Sequence, residues 1–184
     1  MRQARVRFAL TVIIAVVGLV GCSATPAQTS EEAAMPGFVL SSPAFAEGGT
    51  IPSKYTCDGA DVSPALSWAG APLAAQSLAL IVDDPDARGF IHWIAFNIPP
   101  GATGTIREGI YPDADPPQGR NDFGHLGYGG PCPPSGIHHY RFTLYALSVP
   151  LAFSVTPTAP DLNREMAGKI LAQAVLTGTY TRGR

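Results

Sequence analysis

The hydrophobic positions of this chain fall mostly in short runs separated by glycine- and proline-rich segments. Residues 77–82 are almost continuously apolar, which predicts a buried strand. A second run, residues 92–98, ends at Pro99-Pro100, because proline cannot continue a strand ladder. Residues 140–148 alternate between apolar and polar side chains, which predicts a strand with one buried face. A further strand is expected near residues 175–181.

One helix is predicted late in the chain. The segment Thr158-Ala159-Pro160-Asp161 has the form of a capping box, with proline in the first turn, where its missing N–H costs nothing. The apolar residues that follow at helical spacing, and that we expect to pack against the sheet, are Leu162, Met166, Ile170, Leu171, Ala174 and Val175. One amphipathic helix beside many strands favours a mainly β architecture, a sandwich with helices at its edges.

The N-terminal apolar segment has a different pattern. Basic residues precede the apolar residues 8–20, and Leu19-Val20-Gly21-Cys22 follows, as in a bacterial signal peptide. The alternative, a membrane-spanning helix, needs about 20 apolar residues. The ending resembles a lipobox, which predicts a signal peptide at residues 1–21 and a lipid on Cys22. A signal cut without acylation is the other alternative. We therefore expect export and anchoring on the extracytoplasmic side of the cell membrane or envelope.

Two regions follow the expected signal peptide. Residues 22–37 consist of the lipidated cysteine and a polar stretch with little to bury, which predicts a flexible tether. Residues 38–184 have the length of a single domain. Of 12 basic residues, Arg2, Arg5 and Arg7 leave with the signal, so 12 − 3 = 9 basic residues remain against 14 acidic ones. This mildly acidic balance argues against nucleic acid as a partner.

Three cysteines occur in the whole chain. If Cys22 carries a lipid, Cys57 and Cys132 remain in an oxidising compartment, and the simplest prediction is one disulfide between them. A loop of this length corresponds to about 4 kcal/mol of stabilisation in the chain-entropy model. A nucleophilic thiol and a metal ligand are the alternatives.

Candidate chemistry lies in two segments that each join a rigid loop to a strand. The first contains Asp84-Pro85-Asp86 and then His92, and the proline there can direct either carboxylate toward an imidazole. The second is the glycine- and proline-rich loop 127–134, in which free backbone N–H groups can bind an anion. It leads into His138 and Tyr140, which share one face of a strand. For His92 the alternative is a core histidine whose ring is hydrogen-bonded to backbone, and for the loop it is a purely structural turn.

These segments, together with Asn121-Asp122-Phe123-Gly124, resemble the phosphatidylethanolamine-binding protein family, and most closely its bacterial YbhB/YbcL branch, also described as Raf-kinase-inhibitor-like. The similarity extends from about residue 38 to residue 182. It implies a Greek-key β-sandwich with a small pocket for phosphate-like or carboxylate groups. By this resemblance the ligand-binding residues are Asp84, Asp86, His92, His138 and Tyr140, with backbone donors near Gly130 and Pro131 and a wall at Pro133. His139 stands where the family commonly has arginine.

The resemblance implies an envelope-anchored protein that binds a small anionic ligand, such as phosphate, a phospholipid headgroup or a carboxylate, and modulates a partner kinase or peptidase. We expect no enzymatic activity, no cofactor and no bound metal. A hydrogen bond from His92 to Asp84 is expected to hold that imidazole cationic, so that affinity falls as pH rises. Two alternatives remain: a metal-dependent or other hydrolase that uses the His and Asp cluster, and an envelope scaffold with a vestigial pocket.

Overall fold

A computed structural model describes residues 37–183. The predicted signal peptide, the lipidation at Cys22 and nearly all of the tether lie outside this range. The described part contains seven strands and one α-helix: β1 (Val39–Ser41), β2 (Leu66–Ala69), β3 (Ser77–Asp84), β4 (Phe90–Ile98), β5 (Thr103–Ile106), β6 (His138–Leu147), α1 (Ala159–Met166) and β7 (Ile170–Tyr180). Two 3₁₀ turns, Ser53–Tyr55 and Pro85–Ala87, complete it.

The strands form two antiparallel sheets, one in the order β1-β2-β5 and the other in the order β4-β3-β6-β7. Side chains from both sheets form the main core, which includes Trp68 of β2, Leu80 of β3 and Phe142 of β6. The predicted mainly β sandwich is therefore confirmed, with apolar surface from both sheets removed from water between them.

Strand β3 lies in the interior of the four-stranded sheet, and every one of its residues is buried. Leu80 faces the main core, whereas Ile81 faces a second apolar cluster that includes Leu162 of α1. Because both faces of the strand are covered, its sequence is continuously apolar rather than alternating. The buried strand predicted at residues 77–82 is confirmed, and it extends to Asp84 at the site described below.

Strand β6 begins at His138, two residues before the start that the alternation predicted. Tyr140, Phe142 and Leu144 are buried and Arg141 is exposed, as the alternation predicted, but Thr143 on the opposite face is buried, so a single buried face is confirmed only at the start of the strand. The strand pairs with β3 on one side and β7 on the other. His138 and Tyr140 therefore share one face near the end of a strand that is hydrogen-bonded on both sides.

The predicted helical face is wrong beyond Met166. Helix α1 has the expected capping box at Thr158 and Asp161. The helix nevertheless ends at Met166, and the chain passes through Gly168, which has a φ of +75° that favours glycine. The remaining positions of the proposed face lie in β7, whose full length pairs with β6. After Met166, the hydrogen bonds that β7 forms with β6 stabilise a strand, although the apolar residues there also fit helical spacing.

Candidate functional site

A cavity of about 210 Å³ opens where β3 ends and β4 and β6 begin. Its wall is formed by Asp84, Ala87, Phe90, His92, Phe123, Cys132, Pro133, Pro134, His138 and Tyr140. Five residues predicted from the sequence thus lie together, although they come from distant parts of the chain. Asp86, Gly130 and Pro131 were also predicted, but they do not form part of this wall.

Asp84 is oriented by the turn that follows it. Its Oδ1 accepts a hydrogen bond from the N–H of Ala87 at 3.0 Å, which caps the 3₁₀ turn, and Pro85 occupies the first position of that turn. Its Oδ2 lies 2.6 Å from Nδ1 of His138. A carboxylate only accepts hydrogen bonds, so Nδ1 carries the proton and Nε2 is left for the cavity. The side chains of Asp84 and His138 are only 4% and 14% exposed.

The predicted hydrogen bond between Asp84 and His92 is wrong, and strand register explains why. Asp83 of β3 pairs with Arg141 of β6, so the following residue, Asp84, lies beside the start of β6. His138 is on the same face of β6 as Tyr140, and it reaches the carboxylate first. This register is set by strands that are far apart in the sequence, and the local motif carries no information about it.

Asp86 forms a second and outer pair with His139. Its Oδ2 accepts a hydrogen bond from the backbone N–H of His139 and lies 2.8 Å from Nδ1 of the same residue. The backbone hydrogen bond is the main reason that the pKa of Asp86 is lowered. The two side chains are 43% and 52% exposed. The proline turn therefore does direct both carboxylates toward imidazoles, but only the Asp84 pair faces the cavity.

His92 is buried, and its ring is held in place by the glycine-rich loop. Nδ1 lies 2.8 Å from the carbonyl oxygen of Gly129. The ring packs against those of Phe90, Phe123 and Tyr140, with centroid distances of 5.2, 5.3 and 5.1 Å. Burial is the largest effect on the pKa of His92 and lowers it, while the Gly129 carbonyl and the Asp84 carboxylate oppose this shift. The predicted cationic His92 is therefore replaced by a ring whose neutral form is favoured.

Tyr140 places a polar atom in an apolar surrounding. The residue is only 1% exposed, and its hydroxyl oxygen is the one buried side-chain oxygen or nitrogen among residues 37–183 without a hydrogen-bond partner. Burial raises the pKa of Tyr140, and the charge of Asp84 raises it further, so the hydroxyl keeps its proton. The backbone of Cys132 acts in the opposite direction on the pKa of Tyr140, but it does not form a hydrogen bond with the hydroxyl oxygen. A buried polar atom of this kind calls for an explanation.

The glycine- and proline-rich loop supports the cavity in a different way from that predicted. The N–H of Gly130 donates to Oδ1 of Asp61 at 2.7 Å, and the carbonyl of Pro131 accepts from the N–H of Cys57 at 3.1 Å. Proline has no N–H to offer. Neither residue therefore has a free N–H for a ligand, and the backbone donors expected near Gly130 and Pro131 are not these two residues. Their hydrogen bonds instead hold the loop to the segment around residues 55–61.

The same two segments are joined by a disulfide. Cys57 and Cys132 have sulfur atoms 2.07 Å apart and Cα atoms 5.4 Å apart, as the cysteine count predicted. Because Cys132 lies on the cavity wall, this bond connects the wall directly to the turn that follows Ser53–Tyr55.

The two phenylalanines of the wall, Phe90 and Phe123, were not predicted from the sequence. Phe90 lies two residues before His92 on β4, and its ring centroid is 4.8 Å from that of Phe123. Strand periodicity could have indicated Phe90, because alternate residues share a face. Phe123 comes from the loop before residues 127–134, and no local pattern indicates that it reaches the cavity.

The polar groups of the wall are one carboxylate, two imidazoles and one phenol, with no lysine or arginine among the lining residues. Within residues 37–183, no three His, Cys, Asp or Glu side chains are grouped so that they could hold a metal ion. The same range contains no helix that is both long and apolar enough to cross a membrane.

The fold and the site define a β-sandwich domain with a small preformed cavity at its strand ends. Residues 41–181 match the phosphatidylethanolamine-binding protein family. The chain is 50% identical to a UPF0098 protein of Methanothermobacter thermautotrophicus, over 78% of this chain and 99% of the relative. A Mycobacterium tuberculosis protein called lipoprotein LppC is 42% identical, over 85% and 76% of the two chains.

Two crystal structures are similar to this fold. A Chlamydia trachomatis homologue of the family, CT736, has a TM-score of 0.74 and 41% identity, over 80% of this chain and 99% of its own. Escherichia coli YbcL, described as a member of the mammalian family, has a TM-score of 0.72 and 31% identity, over 79% and 99%. The chain therefore belongs to the phosphatidylethanolamine-binding protein family, as the sequence motifs indicated.

Proposed function

We propose that this chain is a non-catalytic protein that binds a small oxyanion, such as a phosphoryl or carboxylate group, in the cavity beside Tyr140. The observation that carries the proposal is the buried hydroxyl of Tyr140, a residue of the cavity wall, which has no hydrogen-bond partner among the described residues. An acceptor atom of a ligand would satisfy this donor. His138 would contribute a second donor through Nε2 when its ring is protonated.

The size of the cavity supports a ligand no larger than a headgroup. At about 210 Å³ it is smaller than the pockets of roughly 300–1,000 Å³ that take drug-sized molecules. Its aromatic and proline side chains surround the polar groups with apolar surface, which strengthens each hydrogen bond to a ligand. The Asp84 carboxylate accepts a hydrogen bond from Nδ1 of His138, and a protonated His138 would offset its negative charge beside a negative ligand.

Calorimetric titration of the full chain with inorganic phosphate and with phosphoethanolamine tests this proposal. We expect binding in the wild type, and at least about tenfold weaker binding in Tyr140→Phe, because a hydrogen bond to a charged group is lost. Tyr145→Phe is the matched control, since Tyr145 lies on the opposite face of β6 and packs with the cluster beneath α1. Failure of both ligands to bind, or equal affinity in Tyr140→Phe, would contradict the proposal.

The second part of the proposal is attachment to the cell envelope through a lipid on Cys22. It is supported by the lipobox-like residues 19–22 and by the relative named as a lipoprotein. Metabolic labelling with a palmitate analogue should mark the wild-type chain but not Cys22→Ser. The variant should also move from the membrane fraction to the soluble fraction, and continued labelling of the variant would contradict this assignment.

The third part is modulation of a partner kinase or peptidase, and the family resemblance alone supports it. If the cavity controls such a partner, ligand and partner binding must be thermodynamically linked. Envelope proteins captured with the wild type should then change in amount when phosphate is added. They should not respond to phosphate when captured with Tyr140→Phe.

A further inference from the structure

We infer that the cavity selects an oxyacid group that still carries one hydroxyl, such as a phosphonate or phosphomonoester monoanion, over an equally charged group that carries none. This inference rests on the proposed function and specifies the class of ligand. It follows because His92, Tyr140 and His138 all line the cavity, and the Gly129 carbonyl holds Nδ1 of His92, so that Nε2 is the nitrogen left to accept a hydrogen bond.

The first step is the tautomer of His92. Nδ1 lies 2.8 Å from the carbonyl oxygen of Gly129, and a carbonyl oxygen can only accept a hydrogen bond. Nδ1 must therefore carry a proton. In the neutral ring the remaining nitrogen, Nε2, has no hydrogen and acts as an acceptor.

The second step is the charge of that ring. Three aromatic rings surround it, and burial lowers the pKa of His92. The ionisable groups that oppose this effect are the carboxylates of Asp84 and Asp122, and Tyr140 faces the ring with a hydroxyl that keeps its proton. The negative charge of Asp84 is already paired with His138. Desolvation is the dominant effect, so the neutral ring is favoured and Nε2 remains an acceptor.

The third step is complementarity with the ligand. An unprotonated oxygen can accept from the Tyr140 hydroxyl and from Nε2 of protonated His138. A ligand oxygen that turned toward Nε2 of His92 without a hydrogen would place two lone pairs against each other. A P–OH group would instead donate to Nε2. The wall thus favours a ligand that offers both an O–H and an O⁻ over a ligand with oxygen acceptors only, such as a carboxylate, which would bind more weakly.

Methylphosphonate and methanesulfonate separate these possibilities. At mildly acidic pH both are tetrahedral monoanions with one methyl group, and only methylphosphonate carries a hydroxyl. In calorimetric titrations of the full chain, we expect methylphosphonate to bind at least about tenfold more tightly. In His92→Phe, which keeps a ring but removes the acceptor, the ratio of affinities should fall toward one. The exposed loop variant His125→Phe should retain the wild-type ratio.

The outcomes distinguish this inference from the proposed function. Equal affinity for the two probes in the wild type would overturn the inference and leave oxyanion binding intact. No binding of either probe or of inorganic phosphate would overturn the proposed function as well. If His92→Phe does not fold, the wild-type chain still decides the question. Raising the pH until methylphosphonate loses its hydroxyl proton should weaken its binding much more than that of methanesulfonate, and parallel behaviour of the two probes would reject the inference.

Discussion

Asp84 and His138 are 54 positions apart in the sequence, yet Oδ2 of the carboxylate and Nδ1 of the imidazole lie 2.6 Å apart. The contact joins the last residue of β3 to the first residue of β6. It compensates a buried negative charge, and it turns Nε2 of His138 toward the cavity. One buried hydrogen bond to a carboxylate thus connects the stability of the sandwich with the chemistry of the proposed site.

This pairing predicts a difference between two similar substitutions. Asp84→Asn should lower the free energy of unfolding by about 1–3 kcal/mol, because a buried charge-assisted hydrogen bond is weakened. Asp86→Asn should have a much smaller effect, because its pair with His139 is exposed to solvent. Urea denaturation of both variants measures the comparison. Equal losses of unfolding free energy in the two variants would show that burial of the Asp84–His138 contact adds no stability.

The unpartnered hydroxyl of Tyr140 predicts a substitution that stabilises the ligand-free protein. Tyr140→Phe removes a buried oxygen without a hydrogen bond while keeping the ring, so the free energy of unfolding should rise by about 1 kcal/mol. The same variant should bind phosphate more weakly. Thermal unfolding in phosphate-free buffer tests the first statement, and a clear loss of stability would mean that the hydroxyl has an internal partner.

The lowered pKa of His92 predicts how stability depends on pH. The unfolded chain has the ordinary value of 6.5, and the folded chain has a lower one. As pH falls below 6.5 the unfolded chain gains a proton that the folded chain resists, so the wild type loses stability between 6.5 and the lower folded value. His92→Phe lacks this contribution. Denaturation across this pH range should show that the stability of the wild type relative to the variant is constant above 6.5, declines as the pH falls through the window, and is constant again below the folded pKa. A constant difference at all pH values would contradict this prediction.

The disulfide predicts a large loss of stability on removal. The double variant Cys57→Ser with Cys132→Ser should lose about 4 kcal/mol, because the bridged residues are 75 positions apart and the unfolded chain regains that freedom. Guanidinium denaturation with and without reductant measures the effect. Reductant should destabilise the wild type and leave the double variant unchanged. A wild type that is insensitive to complete reduction would refute the prediction.

Replacing Gly130 with alanine should destabilise the protein, although it adds only one methyl group. A Cβ at this position would lie 2.5 Å from the backbone oxygen of Tyr55 and 2.8 Å from Cα of Thr56, and backbone atoms cannot move aside cheaply. Gly130→Ala should therefore cost at least about 1–3 kcal/mol. Gly37→Ala is the control, because nothing lies within 4 Å of its Cβ position. Chemical denaturation checks both, and a neutral Gly130→Ala would show that the loop can shift.

The strands could be predicted because side-chain patterns report burial directly. The continuous apolar run of β3 reflects two covered faces, and the alternation at the start of β6 reflects one buried face opposite the exposed His139 and Arg141. The helix was predicted too long because the apolar residues after Met166 satisfy helical spacing, while the partner that makes them a strand is β6. Local spacing cannot report a partner that lies elsewhere in the sequence.

The residue types of the site could also be predicted, but their connections could not. Proline after Asp84 and the start of β6 at His138 indicated a carboxylate near imidazoles. Which imidazole each carboxylate meets depends on the register of β3 against β6. The N–H of Gly130 was expected to face a ligand, and Asp61, from a loop remote in sequence, takes it instead.

The amino-acid sequence by itself predicted β3, β4 and β6, indicated the disulfide, and identified Asp84, His92, His138 and Tyr140 as groups that gather at the strand ends, because these depend on local periodicity, turn chemistry and residue counts. Tertiary structure alone decided that Asp84 meets His138, that Phe90 and Phe123 enclose His92, and that the Tyr140 hydroxyl has no partner among the described residues. These features depend on the register of β3 against β6 and on the burial of polar groups by side chains that are far apart in the chain. Both exist only in the folded sandwich.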